Sequence, residues 1–204
     1  CHVVTANKGP VAFAYRELSL LAAQRERLFL FEGAVMDGVP VFNLVRETLP
    51  AVRIEGFRGV VNSTTNHILT ALEDGHDYAP ALAEMQAQGI AEADPSLDVD
   101  GWDAAAKAAA LANVWLDARV TPHDVDRTGL DAGTAAAARE AKARGCRLRL
   151  VASARRGGRP HVRPLPSSPP LVVARVLRKI LDRCRHHRLP RCCGRRPGAG
   201  VVSY

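Results

Sequence analysis

Gly89-Ile90-Ala91-Glu92-Ala93-Asp94-Pro95-Ser96-Leu97-Asp98-Val99-Asp100-Gly101-Trp102-Asp103-Ala104-Ala105-Ala106-Lys107 reads as the end of one helix, a loop crowded with carboxylates and the start of a second helix. Gly89 suits the stop, because glycine takes the left-handed backbone that closes a helix. The second helix is expected over residues 101–117, which puts Asp103 and Lys107 four residues apart on one face. Such pairs are ordinarily solvated salt bridges worth little. Here Glu92, Asp94, Asp98 and Asp100 crowd the preceding loop, and carboxylates so concentrated repel one another unless a cation, a substrate amine or Lys107 compensates them. A substrate with an ammonium group and an oxidisable alcohol suits this stretch. Acidic side chains hold the amine, and the lysine relays a proton while hydride moves separately. These residues alone specify an enzyme acting on a polar small molecule and leave the reaction open.

Outward from this stretch, strands and helices alternate. Residues 2–6 form a short apolar run, punctuated by Gly9-Pro10, before residues 11–25 take on helical character. Residues 28–32 read as a second buried strand, and residues 33–40, with their Gly, Asp and Pro, as an irregular loop. Residues 53–62 alternate apolar and polar side chains as a half-buried strand does. Ser63 or Thr64 then caps a helix in which Ile68, Leu69 and Leu72 recur at helical spacing up to Gly75. Further helices are expected over residues 79–88 and 131–144, and a strand over 147–154. The expected class is α/β, or α+β in layers. Beyond Arg155 the prolines at 160, 164, 166, 169 and 170 sit among arginines, and the alternation is lost.

Composition bounds the rest. The 204 residues are 47% hydrophobic, enough for a real core, and no apolar run is long enough to span a membrane. With no secretory signal in view, the cytoplasm is the expected location. The chain opens on Cys1 with residues that read as the inside of a domain, so further sequence is expected upstream. The net charge of +7 separates by position: residues 1–143 hold 12 Lys and Arg against 20 Asp and Glu, net −8, whereas residues 144–204 hold 16 against 1, net +15. A basic tail that binds nucleic acid is the rival reading, as the tail of a non-catalytic remnant or binding protein. Against it, residues 144–202 contain no Phe, Trp or Tyr on which bases could stack. His186-His187 and Cys192-Cys193 are adjacent pairs, not the separated ligands of a zinc site.

The run 89–107 strongly resembles the signature segment of homoserine dehydrogenases. Three more segments agree in order: Val3-Val4-Thr5-Ala6-Asn7-Lys8, Phe31-Glu32-Gly33-Ala34-Val35-Met36-Asp37-Gly38-Val39-Pro40, and Gly59-Val60-Val61-Asn62-Ser63-Thr64-Thr65-Asn66. The resemblance covers roughly residues 3–154 and implies reduction of L-aspartate 4-semialdehyde to L-homoserine with NADPH or NADH, on the route to threonine, methionine and isoleucine. By the same resemblance Lys107 donates the proton and Asp103 orients it. Glu92 binds the substrate amine, with Asp98 and Thr64 on the substrate side. Lys8 and Thr5 lie at the nicotinamide end of the cofactor. The loop opened by Glu32 holds a monovalent cation such as sodium, with carbonyls of Val35, Asp37 and Val39 as ligands. A hard cation in a tight loop of carbonyl oxygens is sound chemistry. Ser63 replaces a glycine common in relatives, and Asp37 replaces a small residue. A homodimer formed through the substrate domain is also implied.

The resemblance implies three regions: residues 1–31 end a Rossmann dinucleotide-binding domain, 32–154 form the substrate domain, and 155–204 are an Arg- and Pro-rich tail. The Gly-x-Gly-x-x-Gly fingerprint that brings a pyrophosphate to a helix N-terminus is not in this sequence, so on the order of 100 residues of cofactor domain are expected upstream, and the chain alone is expected to be inactive. In the tail, residues 197–202 again resemble a family segment that is rich in glycine. Translation of the intervening stretch in a shifted frame would account for its composition.

Overall fold

The structure, a computed structural model, describes residues 1–36, 38–87, 89 and 94–167. Two short strands, β1 (Val3–Val4) and β2 (Phe29–Leu30), pair in parallel with Val3 opposite Phe29 and Val4 opposite Leu30, and α1 (Lys8–Gln24) crosses between them. A strand, helix, strand unit of this kind is the element from which dinucleotide-binding folds are built. The sequence places Gly9-Pro10 before the helix, but both residues lie inside its first turn. Asn7 caps that turn by accepting from the Gly9 N–H at 2.8 Å, and Pro10 lacks only an N–H that a first turn leaves unpaired anyway. The helix breaks at Ala14, where φ is −145° and ψ is 27°.

After a single 3-10 turn over Glu32–Ala34 and the irregular loop, the chain enters a helix the sequence reading missed, α2 (Val41–Thr48). Its signal is Glu32, ten residues upstream: the carboxylate accepts from the N–H groups of Phe42 and Asn43, both at 2.8 Å. A carboxylate at a helix N-terminus pairs the free donors and complements the dipole.

The second sheet contains β3 (Gly56–Val60), preceding α3 (Ser63–Glu73), α4 (Tyr78–Ala87), the one-turn α5 (Ser96–Val99) and α6 (Trp102–Leu116). Then come β4 (Asp126–Arg127), α7 (Thr134–Ala143), β5 (Arg147–Arg155) and β6 (His161–Ser167). The strand order is β3-β5-β6-β4, antiparallel except for the β4 and β6 pair. The α/β class expected from the sequence is the class observed. β6 lies beyond Arg155, where the alternation was lost, and contains Pro164 and Pro166, opposite Leu150 and Leu148. On the far side, β4 pairs only with His161 and Val162, so these prolines fall where no described neighbour needs an N–H. The tail features at 168–204, the two adjacent metal-capable pairs and the glycine-rich end lie outside the described residues.

One core joins these parts. α6 is apolar nearly all round, with Ala104, Ala105, Ala108, Ala109, Ala110 and Ala112 each no more than 1% exposed. Small side chains let α1 and the sheet both approach its backbone. Ile68, Leu69 and Leu72 of α3 and Leu148, Leu150 and Ala152 of β5 complete the packing. The acidic stretch enters α6 through Gly101 at φ +80°, and Gly129 passes so close that a Cβ there would meet the Asp100 Cα at 2.7 Å. Among the described residues no helix is long and apolar enough to cross a membrane.

Candidate active site

Asp103 projects from the first turn of α6 into a mostly buried position, its side chain 13% exposed, and two lysines converge on it. Lys107, one turn along, places Nζ 2.9 Å from Oδ2, and Lys8, at the start of α1, places Nζ 2.9 Å from Oδ1. The i,i+4 pair read from the sequence is therefore no solvated surface bridge. It is half of a three-membered cluster whose other lysine comes from 95 residues away in the chain. Lys107 also donates to the Val61 carbonyl at 2.8 Å, at the end of β3. Two of its three N–H groups are thus held by the protein, which fixes the direction of the third.

Asn62 ties the acidic residues together. It is 5% exposed, and its amide nitrogen donates to Asp98 Oδ1 at 2.7 Å and to Asp103 Oδ2 at 2.9 Å. Its amide oxygen accepts from the N–H and the hydroxyl of Thr65, both at 2.8 Å. Asn62 is the cap of α3, where the sequence reading expected Ser63 or Thr64. That reading missed it as a site residue, although an asparagine directly before a helix start was the available signal. Thr64 is buried in the first turn of α3, two residues from Asn62. Thr5 accepts from the Asn7 N–H at 3.0 Å and so supports the turn that carries Lys8. Glu92, in the center of the acidic stretch, lies outside the described residues, as does Asp37.

For a metal, the described residues hold no group of three or more His, Cys, Asp or Glu side chains placed to bind one. Glu32 spends both oxygens on α2, and the Val39 carbonyl accepts from the Val41 N–H at 2.8 Å; Val35 is buried. Among the described residues of the loop, the oxygen donors other than the engaged Glu32 carboxylate are backbone carbonyls.

Burial pushes the Asp103 carboxyl up, but the bonds from Lys8 and Asn62 and the field and bond of Lys107 outweigh it, and the group titrates below its ordinary value of 3.8. A depressed folded value stabilises the fold above the unfolded value and loses that contribution as pH falls through the folded one. In thermal melts at descending pH, the deficit of Asp103→Asn relative to the parent is therefore expected to stay constant above the ordinary carboxylate range and to shrink below it. A deficit independent of pH down to strong acid would contradict the assignment.

The family model for homoserine dehydrogenase matches residues 40–188. The chain belongs to the homoserine dehydrogenase family. It is 43% identical over 155 residues to the NAD(+)-dependent homoserine dehydrogenase of Pseudomonas canavaninivorans, covering 76% of this chain and 44% of that protein. Identity to the homoserine dehydrogenase of Methanocaldococcus jannaschii is 41% over 157 residues, 76% of this chain and 47% of that one. Among solved structures, a homoserine dehydrogenase from Thiobacillus denitrificans superposes with a TM-score of 0.77 at 34% identity, covering 85% of this chain and 41% of that one. A hyperthermophilic archaeal homoserine dehydrogenase in complex with NADPH gives a TM-score of 0.71 at 35% identity, over 83% of this chain and 50% of that one. The chain thus spans half or less of the length of these homoserine dehydrogenases, and its β1, α1, β2 unit belongs to a Rossmann-like fold.

Proposed function

We propose that this chain carries the substrate-binding and proton-transfer machinery of a homoserine dehydrogenase that reduces L-aspartate 4-semialdehyde to L-homoserine. The observation that carries the reading is the convergence of Lys8 and Lys107 on the mostly buried carboxylate of Asp103, with Asp98 held beside it by Asn62. Lys107 donates its third N–H to the aldehyde oxygen and hands over that proton as the oxygen gains charge. Asp103 holds the ammonium in place and keeps it charged until then. Asp98 and the buried Thr64 line the substrate side, with Glu92 as the partner of the substrate ammonium.

A nicotinamide would be held at the C-terminal ends of β1 and β2, where ligands of open parallel sheets bind and where Lys8, at the start of α1, reaches the Asp103 cluster. When bound, the nicotinamide supplies the hydride that adds to the aldehyde carbon. Lys8 and Thr5 form this chain's part of that edge. Residues 1–31 are the chain's share of the cofactor domain and residues 32–154 its substrate domain, whose strand β6, read from the sequence as part of the tail, extends to Ser167. The loop of Glu32, Val35, Asp37 and Val39 holds a monovalent cation through backbone carbonyls, the enzyme works as a homodimer, and it resides in the cytoplasm.

The test is the oxidation of NADPH or NADH, followed by absorbance, on adding L-aspartate 4-semialdehyde to the full-length protein. Turnover that requires the semialdehyde is expected. A folded full-length protein that consumes neither nucleotide would sink the reading.

A further inference from the structure

The Lys8 half of the site depends on where α1 sits on α6, and a buried side chain outside the cluster sets that relation. Asn113, 7% exposed, lies ten residues beyond Asp103 on the same helix, about 15 Å along its axis at 1.5 Å per residue. Its amide nitrogen donates to the carbonyls of Val11 at 3.3 Å and Ala12 at 3.2 Å, just before the break in α1 at Ala14. The same nitrogen donates to the Val120 carbonyl at 2.8 Å, and the amide oxygen accepts from the Val120 N–H at 2.9 Å. One amide therefore clamps α1, α6 and the segment after α6. A polar side chain inserted at a helix break holds carbonyls that the regular ladder does not. Val11 and Ala12, the two residues it grips, are completely buried and follow Lys8 by less than two turns.

We infer that Asn113 is a positioning residue for Lys8: by holding the Val11 and Ala12 carbonyls at the break in α1, it sets the height of that helix so that the Lys8 ammonium meets Asp103. Lys8 is 40% exposed on its side chain, so its own ion pair is too open to hold the helix in register. The buried amide supplies the hold. This inference rests on the proposed function for its kinetic consequence and on geometry alone for its structural one.

A double-mutant cycle in the full-length protein separates positioning from plain stabilisation. Asn113→Ala is expected to lower kcat/KM on the order of tenfold in the parent and to change it less than about twofold in a Lys8→Met background, since coupled residues are non-additive. The loss of melting temperature is expected to be equal in both backgrounds. Asn113→Ser, which keeps one donor, is expected to fall between the parent and Asn113→Ala, and it stands in for the alanine variant should that one not fold. Equal rate losses in both backgrounds would overturn the inference. Should the parent show no turnover, the proposed function fails, yet the positioning is still read on the lysine ammonium resonances in a 15N-labelled sample. There Asn113→Ser is expected to shift and weaken the Lys8 signal that Asp103→Asn removes. A Lys8 resonance unmoved by Asn113→Ser would overturn the inference without reference to activity.

Discussion

Lys107→Ala is expected to lower kcat of the full-length protein by about 10²- to 10⁴-fold, the usual worth of a positioned general acid. Its KM for the semialdehyde is expected to change little, because the proton is delivered in the transition state and the ground state loses one hydrogen bond. The fold is expected to survive. Asp103 keeps Lys8 at 2.9 Å and Asn62 at 2.9 Å, so removing Lys107 does not strand the carboxylate. Lys107→Arg is not expected to restore the rate, since a guanidinium cannot surrender its proton in a protein. Steady-state kinetics and circular dichroism on the same preparations decide the matter. A folded Lys107→Ala variant with more than a tenth of the parental kcat would remove Lys107 from the chemistry.

Glu73→Ala is expected to be the most damaging single change to the fold outside the site. The Glu73 side chain is completely buried at the end of α3. It accepts from Arg149 at 2.7 Å, from Arg147 at 3.0 Å and from the Leu148 N–H at 2.9 Å. Removing it leaves the 11%-exposed Arg149 side chain and a buried backbone donor without their acceptor. Stranding one member of a buried pair costs about 3–5 kcal/mol. For a chain of this size that is a fall of roughly 10 °C or more in melting temperature. Replacing both partners, as in Glu73→Ala with Arg149→Met, is expected to recover a good part of the loss, because no charge is then buried alone. A double variant no more stable than Glu73→Ala would show that the carboxylate acts through something other than charge pairing. The site is expected to stay intact in whatever fraction folds, because Asn62 and Glu73 lie at opposite ends of α3, about 16 Å apart.

Much of the fold is legible along the chain because it is written in local terms. The Ala-rich helix after Gly101, the helix that carries Ile68, Leu69 and Leu72, and the strand over residues 147–154 all announce themselves by periodicity and by the glycines at their ends. Two of the misses share one cause. α2 is capped from ten residues upstream by Glu32, and β6 tolerates two prolines because its far neighbour is only two residues long. Neither fact can be seen in a short window.

The site divides the same way. Asp103 and Lys107 are one helical turn apart, so helix geometry alone brings their side chains together, and the acidic residues before them signal a cluster in need of cations. Their meaning depended on partners that no local rule brings near. Lys8 arrives from α1, Asn62 from the end of β3, and the Val61 carbonyl from the residue before it. A helical pair in water is worth little, and the same pair at 13% carboxylate exposure, with a second lysine and a buried amide on its oxygens, is held in one arrangement. Spacing along one helix was enough to name the pair. Burial and the long-range partners, which only packing of α1 and β3 against α6 supplies, turned that pair into a site.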